Sequence, residues 1–374
     1  MDELALAERL ITYDTSQPEE LNRAAAFVKG WLEAREVPVG QIDRDGLPVL
    51  TCQVGASEGP RVILHGHLDV VPALSGQFDP RVEGDRLIGR GAYDMKGGLA
   101  AMLCAVRDVA DQDDVSITFV CVPDEEAEDL ASRSTDALLR EGLEADFAIT
   151  GEPTDLHIGV QAKGVLAVTV EVTGRAAHGS TPWLGDNAIL KAYDAFRRME
   201  TLPFTRESSE LFDRPSINLS RIHGGDAFNK VPDRCAMDVD IRYLPGQDPG
   251  EILAALREIP DLQVLSCYEH NPATVAPGHP YVRALREAVG RSIEGEALSV
   301  GRDGASDAIC FLQAGIAAVE FGPVGGGHHG PDEWVSIRSL ARYRQALTDF
   351  VHGLPAWLAR QGGAELRAID GGAA

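Results

Sequence analysis

The chain has 374 residues, 44% hydrophobic and 25% charged, a composition typical of a globular protein long enough for two domains. Acidic residues outnumber basic ones 58 to 34, and the formal charge of −24 argues against a nucleic-acid partner. No uncharged apolar run approaches the ~20 residues needed to span a membrane. The acidic N-terminus lacks the basic and apolar regions of a signal peptide, so we expect a cytoplasmic protein.

The first part of the chain and its last hundred residues alternate predicted strands with predicted helices. Apolar runs predict strands near 48–54, 61–67, 115–122, 145–150, 297–300 and 316–321. Apolar stripes at helical spacing predict helices near 97–109, 134–141, 280–290, 306–314 and 338–352. Apolar strands that alternate with helices favour an α/β fold, with a mostly parallel sheet covered by helices on both faces.

The segment between these two parts follows a different pattern. Strands with period-2 alternation and two helices give the order β-α-β-β-α-β between residues 164 and 274. That order is typical of a ferredoxin-like α+β sandwich. We therefore predict one domain from residues 1–163 plus 275–374 and a second domain, 164–274, inserted into it.

Polar side chains interrupt the apolar pattern in five loops, mostly where predicted strands end. The loops contribute His67 and Asp69, Asp94, Glu125 and Glu126, Glu152, and His328 and His329. In open α/β sheets, ligands bind beyond the carboxyl ends of the strands. Imidazole and carboxylate groups without a thiolate suit a divalent ion of the zinc type. Two histidines, two terminal carboxylates and one bridging carboxylate would hold a pair of ions ~3.5–4 Å apart.

The six cysteines offer no alternative metal site. None lies in a C-x-x-C pair, and several lie inside apolar runs such as MLCAV and FVCVP. We interpret them as free core cysteines of a protein in a reducing compartment.

Five motifs follow one another along the chain: HGHLDVVP, GRGAYDMKGG, DEE, TGEPT and HHGPDE. Together they resemble the co-catalytic zinc peptidase and deacylase family of acetylornithine deacetylase, succinyl-diaminopimelate desuccinylase, aminoacylase and carboxypeptidase G. The resemblance runs from about residue 5 to residue 352. It implies a zinc-peptidase-like catalytic domain and hydrolysis of a linear amide bond, with two divalent ions, zinc or alternatively cobalt or manganese.

The resemblance also implies a role for each motif residue. His67 and Glu152 would bind one metal ion, Glu126 and His329 would bind the other, and Asp94 would bridge both. Asp69 would hydrogen-bond the far nitrogen of His67, and Glu125 would be the general base. A cis peptide bond is expected after Asp94.

In the inserted domain, the resemblance implies groups that contact substrate. His178 would cross to the active site of a partner subunit and stabilise the oxyanion, while Asn229 and Arg242 would bind the substrate carboxylate. The loop with Gly304 and Ser306 would line the substrate site. The inserted domain would thus be a dimerisation and lid domain, and the protein a homodimer.

Several alternatives stay open at this stage. The motif pattern favours His329 over His328 as the ligand. His65 lies off the ligand position on its strand and is expected to contact a neighbouring backbone group. GGGHHG at 325–330 has the letters of a dinucleotide-binding loop. Pro331 follows it directly and no βαβ unit comes after it, so we do not predict a dinucleotide site.

The function also has alternatives. We expect a deacylase that removes an acetyl or succinyl group from an amino acid, and the competing enzyme is a dipeptidase or a glutamate-type carboxypeptidase with the same metal site. A non-catalytic relative would typically lose a ligand or the base, whereas this sequence keeps all of them.

Overall fold

The computed structural model describes residues 2–127, 133–293 and 296–370. The helices in these ranges are α1 (Glu3–Ile11), α2 (Pro18–Glu33), α3 (Lys96–Asp108), α4 (Ser134–Arg140), α5 (Ala188–Met199), α6 (Pro249–Arg257), α7 (Pro280–Ser292), α8 (Ala308–Gln313) and α9 (Ile337–Asp370). The first nine strands are β1 (Gly40–Arg44), β2 (Leu47–Gly55), β3 (Arg61–His67), β4 (Arg81–Glu83), β5 (Arg86–Ile88), β6 (Ser116–Val122), β7 (Phe147–Thr150), β8 (Ile158–Ala162) and β9 (Gly164–Thr173). The later strands are β10 (Ser216–Gly224), β11 (Arg234–Tyr243), β12 (Leu262–His270), β13 (Ala273–Thr274), β14 (Ser299–Arg302), β15 (Ala317–Glu320), β16 (Gly325–Gly326) and β17 (Trp334–Ser336).

The chain forms two compact units. The larger unit comprises Met1–Val160, Val275–Val300 and Ser306–Ala374, and the smaller unit comprises Gln161–Thr274 and Gly301–Ala305. The smaller unit therefore derives mainly from one continuous stretch of sequence, and the larger unit is assembled from the segments on either side of it.

The larger unit is built on a mixed sheet. Its strand order is β1-β2-β6-β3-β7-β15-β8. The four central strands, β6, β3, β7 and β15, are parallel, whereas the flanking pairs are antiparallel. Parallel strands need both faces covered, which explains why these strands read as nearly continuous apolar runs.

Apolar residues of the sheet and its helices form the core of the larger unit. Val62, Ile63 and Leu64 of β3 are all buried, as are the first eleven residues of α3. Helix α9 packs against α3 and α7, and one side of the sheet packs through Val49, Val120 and Phe311. Two helical layers around an apolar sheet match the predicted α/β class, which is confirmed.

A small four-stranded sheet lies in the same unit and was not predicted. Its strand order is β16-β17-β5-β4. Strand β17 pairs with β5 and with β16, so the segment after residue 324 lies beside the segment that leads to Asp94. Strands β8 and β1 were also missing from the prediction.

The smaller unit is an antiparallel sheet of order β10-β11-β9-β12 with α5 and α6 packed on it. Buried and less buried residues alternate along β11, and Met237, Val239 and Ile241 join Leu166 and Val168 in its core. The β-α-β-β-α-β order and this strand arrangement are those of a ferredoxin-like sandwich.

In the part of the chain that the structure describes, no helix has both the length and the apolar character needed to cross a membrane.

Candidate metal centre

Three neighbouring parallel strands bring their polar loops to one edge of the larger sheet. His67 is the last residue of β3 and pairs in register with Val122, the last residue of β6. His65 pairs with Thr150, the last residue of β7. Because all three strands run in the same direction, His67 and the loops that carry Glu126 and Glu152 begin at the same edge.

A buried ion pair brings the two remaining loops together. Glu333 accepts hydrogen bonds from the backbone N–H groups of Gly91 at 3.1 Å, Tyr93 at 2.9 Å and Asp94 at 3.0 Å. Arg90 donates to Glu333 at 2.5 Å and to the backbone oxygen of His329 at 3.0 Å. The Arg90–Glu333 pair therefore fixes the Asp94 loop and the His329 loop against each other.

The five predicted ligands converge around Asp94. Its Oδ1 lies 3.1 Å from His67 Nε2, and its Oδ2 lies 3.3 Å from His329 Nε2. His329 Nε2 also lies 3.0 Å from Glu126 Oε1, and Glu152 Oε1 lies 3.7 Å from His67 Nε2. The structure thus places His67 beside Glu152, His329 beside Glu126, and Asp94 between the two pairs. The peptide bond between Asp94 and Met95 is cis, as the resemblance implies.

Both histidines of the HHGPDE motif reach Asp94. His328 Nε2 lies 2.5 Å from Asp94 Oδ2, and the two imidazole rings contact each other edge to face at 4.3 Å. His329 additionally reaches Glu126, a contact that His328 does not make in the described residues. The sequence-based preference for His329 therefore stays a proposal, with His328 as a close neighbour of the cluster.

Buried imidazole and carboxylate groups of the cluster shift one another's pKa values. Burial would lower the pKa of His67, but Asp69, Asp94 and Glu152 raise it well above its usual range. Burial would raise the pKa of Asp94, but the three histidines hold it well below its usual range. Burial and the charge of Asp94 raise the pKa of Glu152 well above that of an ordinary carboxyl. The cluster thus carries more buried carboxylate than its imidazoles neutralise.

A divalent cation fits this donor set. Glu152 is buried, and its Oε1 has no hydrogen-bond partner among the described residues. An unsatisfied buried carboxylate oxygen is costly unless a cation or a proton lies beside it. Among the residues that the structure describes, two groups of side chains could each hold a metal ion: Asp94 with His328 and His329, and His67 with Asp94 and Glu126. Imidazole nitrogens and carboxylate oxygens are the ligands that zinc prefers in the absence of thiolates.

Asp69 links the loops of the site. His67 Nδ1 lies 3.1 Å from the backbone oxygen of Asp69 and 3.4 Å from its carboxylate. The same carboxylate accepts hydrogen bonds from the backbone N–H groups of Glu125 at 3.2 Å and Glu126 at 2.8 Å. The backbone oxygen of Asp69 is thus the nearer partner of His67 Nδ1, and its carboxylate fixes the loop that carries the predicted base and one predicted ligand.

Glu125 is buried beside an arginine that sequence reasoning did not single out. Its carboxylate accepts a hydrogen bond from Arg133 Nη1 at 3.1 Å. Burial raises the pKa of Glu125 well above its usual range, the charge of Arg133 opposes that effect, and the charge of Glu152 adds to it. A buried carboxyl next to the predicted ligand Glu126 is suited to accept and release a proton.

The smaller unit places His178 and Asn229 side by side. The backbone N–H of Gly179 donates to the backbone oxygen of Asn229 at 2.7 Å, and His178 forms an antiparallel bridge with Lys230. Both predicted substrate-contact residues are exposed, and His178 Nδ1 lies 2.8 Å from Ser180 Oγ. The two residues therefore belong to one surface of the smaller unit.

The other predicted substrate residues make contacts within the fold. Arg242 Nε donates to the carboxylate of Asp240 at 2.9 and 3.1 Å, on the same strand. Ser306 is buried, and its hydroxyl donates to Glu320 at 2.6 Å. Gly304 is exposed. A role of these three residues in binding substrate stays a prediction.

Sequence reasoning assigned His65 to a backbone contact, and its observed partners are side chains. His65 Nε2 lies 2.9 Å from Thr135 Oγ1 and 3.3 Å from Asp307 Oδ2. It also overlooked Glu333, Arg90, Arg133 and Asp307. Glu333 lies in the HHGPDE motif, which was the one available signal for it, whereas Arg133 and Asp307 match no motif that was considered.

Comparison with known proteins places this arrangement in a family. The chain is 33% identical to a Mycobacterium tuberculosis protein named as a succinyl-diaminopimelate desuccinylase. The match extends over 333 residues, which are 86% of this chain and 90% of the relative. It is 30% identical to the acetylornithine deacetylase of Edwardsiella ictaluri, over 78% of this chain and 79% of that one. The structure matches a metallo-carboxypeptidase from Sulfolobus solfataricus with a TM-score of 0.79 and 20% identity, over 95% of this chain and all of that one (100%). Residues 63–353 match the model of peptidase family M20/M25/M40, and the chain belongs to that family.

Proposed function

We propose that the protein is a metal-dependent amidohydrolase that removes an acetyl or succinyl group from the nitrogen of an amino acid. The observation that carries the proposal is the convergence of two histidines and two carboxylates on Asp94, with a further buried carboxylate, Glu125, on the adjoining loop. The family is metal-dependent, and relatives named as a desuccinylase and a deacetylase cover most of the chain.

Two divalent ions, zinc in our proposal, would be held by five side chains. His67 and Glu152 would hold one ion, Glu126 and His329 the other, and the carboxylate of Asp94 would contact both. Bound divalent ions of this kind act as Lewis acids that lower the pKa of water and polarise a carbonyl group. The contact of Asp69 with His67 Nδ1 leaves Nε2 as the nitrogen that points towards Asp94.

Glu125 would move the proton during hydrolysis. As the ionised carboxylate, it would accept a proton from the attacking water, and as the neutral acid it would donate that proton to the departing amine. Burial favours its neutral form and the charge of Arg133 favours its ionised form, so the two influences oppose each other at this carboxyl.

The smaller unit would supply contacts to the substrate. The resemblance assigns a carboxylate contact to Asn229 and Arg242, and a guanidinium binds a carboxylate bidentately. His178 would donate a hydrogen bond to the oxyanion that forms during attack. Asn229 and His178 lie on one exposed surface of this unit, which supports a shared role.

A panel of substrates tests the proposed function. The metal-loaded protein is incubated with N-acetyl and N-succinyl amino acids and, at equal concentration, with dipeptides of the same amino acids, and release of the free amine is measured. We expect turnover of at least one N-acyl amino acid with a higher kcat/KM than any dipeptide. Turnover of dipeptides alone would instead assign the same site to a dipeptidase or carboxypeptidase.

We also propose that the smaller unit mediates a homodimer. Strand β10 lies at the edge of its sheet, and Leu190, Tyr193 and Ile222 on α5 and β10 are 65%, 59% and 44% exposed. An unpaired strand edge beside exposed apolar side chains is suited to pair with a second copy. We expect light scattering to give the mass of a dimer for the wild type and of a monomer for Tyr193→Asp, and a monomeric wild type would contradict the proposal.

The cytoplasmic location stays a prediction.

A further inference from the structure

A buried arginine lies between the proposed base and a second carboxylate. Arg133 directly precedes α4 and is 9% exposed, and its Nη1 donates to Glu125 Oε1 at 3.1 Å and to Asp307 Oδ1 at 2.7 Å. Glu125 is 8% exposed and Asp307 is 1% exposed. One guanidinium thus contacts two carboxylates in a part of the larger unit from which water is largely excluded.

Asp307 is itself held from two further sides. The hydroxyl of Thr135, on α4, donates to Asp307 Oδ2, and His65 Nε2, on β3, lies 3.3 Å from the same oxygen. Thr135 and His65 are 0% and 1% exposed. Asp307 is therefore a fixed anchor, and the position of the Arg133 guanidinium is set by contacts with α4, β3 and the start of α8.

Asp307 alone would balance the charge of Arg133, so the buried ion pair does not require Glu125. A buried guanidinium needs one carboxylate to balance its charge, and Asp307 supplies it at the shorter distance. Glu125 is an additional acceptor, and Arg133 is the one side-chain hydrogen-bond donor to its carboxylate that the described residues provide. A charge-assisted hydrogen bond of this kind restricts where the Glu125 carboxylate can lie.

We infer that Arg133 is a positioning residue, which holds the Glu125 carboxylate in the orientation needed for proton transfer while Asp307 holds Arg133. The inference rests on the proposed role of Glu125 as the base. Arg133 lies eight residues from Glu125 in sequence, whereas Asp307 lies 174 residues from Arg133, so the contact ties the base to a distant part of the same unit.

The inference predicts a selective loss of turnover. In metal-loaded Arg133→Met, we expect kcat to fall about 10-fold to 100-fold, because displacing a reacting group by about 1 Å costs rates of that order. KM and metal content should stay close to wild type, because Arg133 contacts neither of the proposed metal sites directly. Arg133→Lys keeps the positive charge but loses the planar guanidinium group, so its kcat should lie between those of Arg133→Met and the wild type.

The experiment has two matched controls. Arg23→Met removes an exposed arginine from a surface ion pair with Glu20, and should leave kcat unchanged. Glu125→Asp shortens the side chain by one methylene group and withdraws the carboxylate beyond the reach of Arg133. Adding Arg133→Met to this variant should therefore lower kcat far less than the same substitution does in the wild type. An equal loss of kcat in both backgrounds would overturn the inference, as would a joint shift of kcat, KM and metal content.

A crystal structure of the metal-loaded Arg133→Met variant gives a readout that does not depend on activity. We expect the Glu125 carboxylate to move by more than about 0.5 Å or to occupy several conformers. If Arg133→Met fails to fold, the same structure is determined for Arg133→Lys. An unmoved Glu125 with wild-type kcat would overturn the inference. Failure of the wild type to hydrolyse any amide of the panel would instead remove the proposed function, while the crystal structures would still test the contact.

Discussion

The larger unit buries its predicted functional side chains, whereas the smaller unit exposes two of its own. His67, Asp94 and Glu152 are all at least nine-tenths buried and contact each other, while His178 and Asn229 lie at the surface. Burial of polar groups without partners is unfavourable, so each buried side chain of the cluster depends on its contacts with the others. We therefore expect metal binding and proton transfer to depend on the larger unit, and contacts to the substrate and to the oxyanion to depend on the smaller one.

The strongest test of this contrast is substitution of the proposed base, Glu125. We expect Glu125→Gln to lower kcat by about 10²–10⁴-fold, because the amide cannot accept a proton from water. Steady-state kinetics measure the loss, and elemental analysis should show unchanged metal content. Glu144→Gln, on an exposed glutamate that pairs with Arg61, serves as the control and should behave as wild type. Near-normal turnover in Glu125→Gln would remove the residue from its role.

The buried scaffold of the larger unit should be intolerant of substitution. Glu333→Ala leaves the buried Arg90 without its carboxylate and removes the acceptor of three backbone N–H groups. We expect the free energy of unfolding to fall by about 3–5 kcal/mol, as measured by chemical denaturation, together with a loss of bound metal. The exposed pair of Arg81 and Glu83 provides the control, since Glu83→Ala should change stability by less than about 0.5 kcal/mol. Equal effects of the two substitutions would contradict the account.

Substitution in the smaller unit should affect turnover without affecting metal binding. If His178 stabilises the oxyanion, His178→Ala lowers kcat by about 10²–10³-fold while metal content and unfolding stay at wild-type values. His352→Ala, on an exposed face of α9, is the matched control. A His178→Ala variant with full activity would show that this exposed histidine contributes nothing to the reaction.

The smallest expected effect concerns the cysteines. All six are free; five are buried, and Cys267 on β12 of the smaller unit is exposed. Burial raises the pKa of Cys52 and of Cys121 to about 12, which suppresses their reactive thiolate form. We expect a thiol reagent at neutral pH to modify one cysteine quickly in the native protein, and none quickly in Cys267→Ser. Rapid modification of several cysteines would show that the regions that bury the other five open readily.

Much of the metal cluster followed from local sequence because parallel strands end at one edge of a sheet. His67, Glu126 and Glu152 could be placed together from the predicted ends of three strands. The strands themselves were predicted within a few residues because their apolar runs are uninterrupted. The ferredoxin-like order followed in the same way from the alternation along β9 and β11.

The contacts that hold the cluster could not be predicted, because they join residues far apart in sequence. Arg90 and Glu333 are 243 residues apart, and Arg133 and Asp307 are 174 residues apart. The short strands of the small sheet carry too few residues to show a periodic pattern. His65 was expected to contact a backbone group, whereas its side-chain partners depend on how α4 and α8 pack.

The most direct test of the account is a crystal structure of the zinc-loaded protein with anomalous diffraction data recorded at the zinc absorption edge. The account predicts two peaks about 3.5–4 Å apart, both touching Asp94, one beside His67 and Glu152 and the other beside Glu126 and His329. Absence of zinc from these side chains, or ions bound elsewhere in the chain, would contradict it.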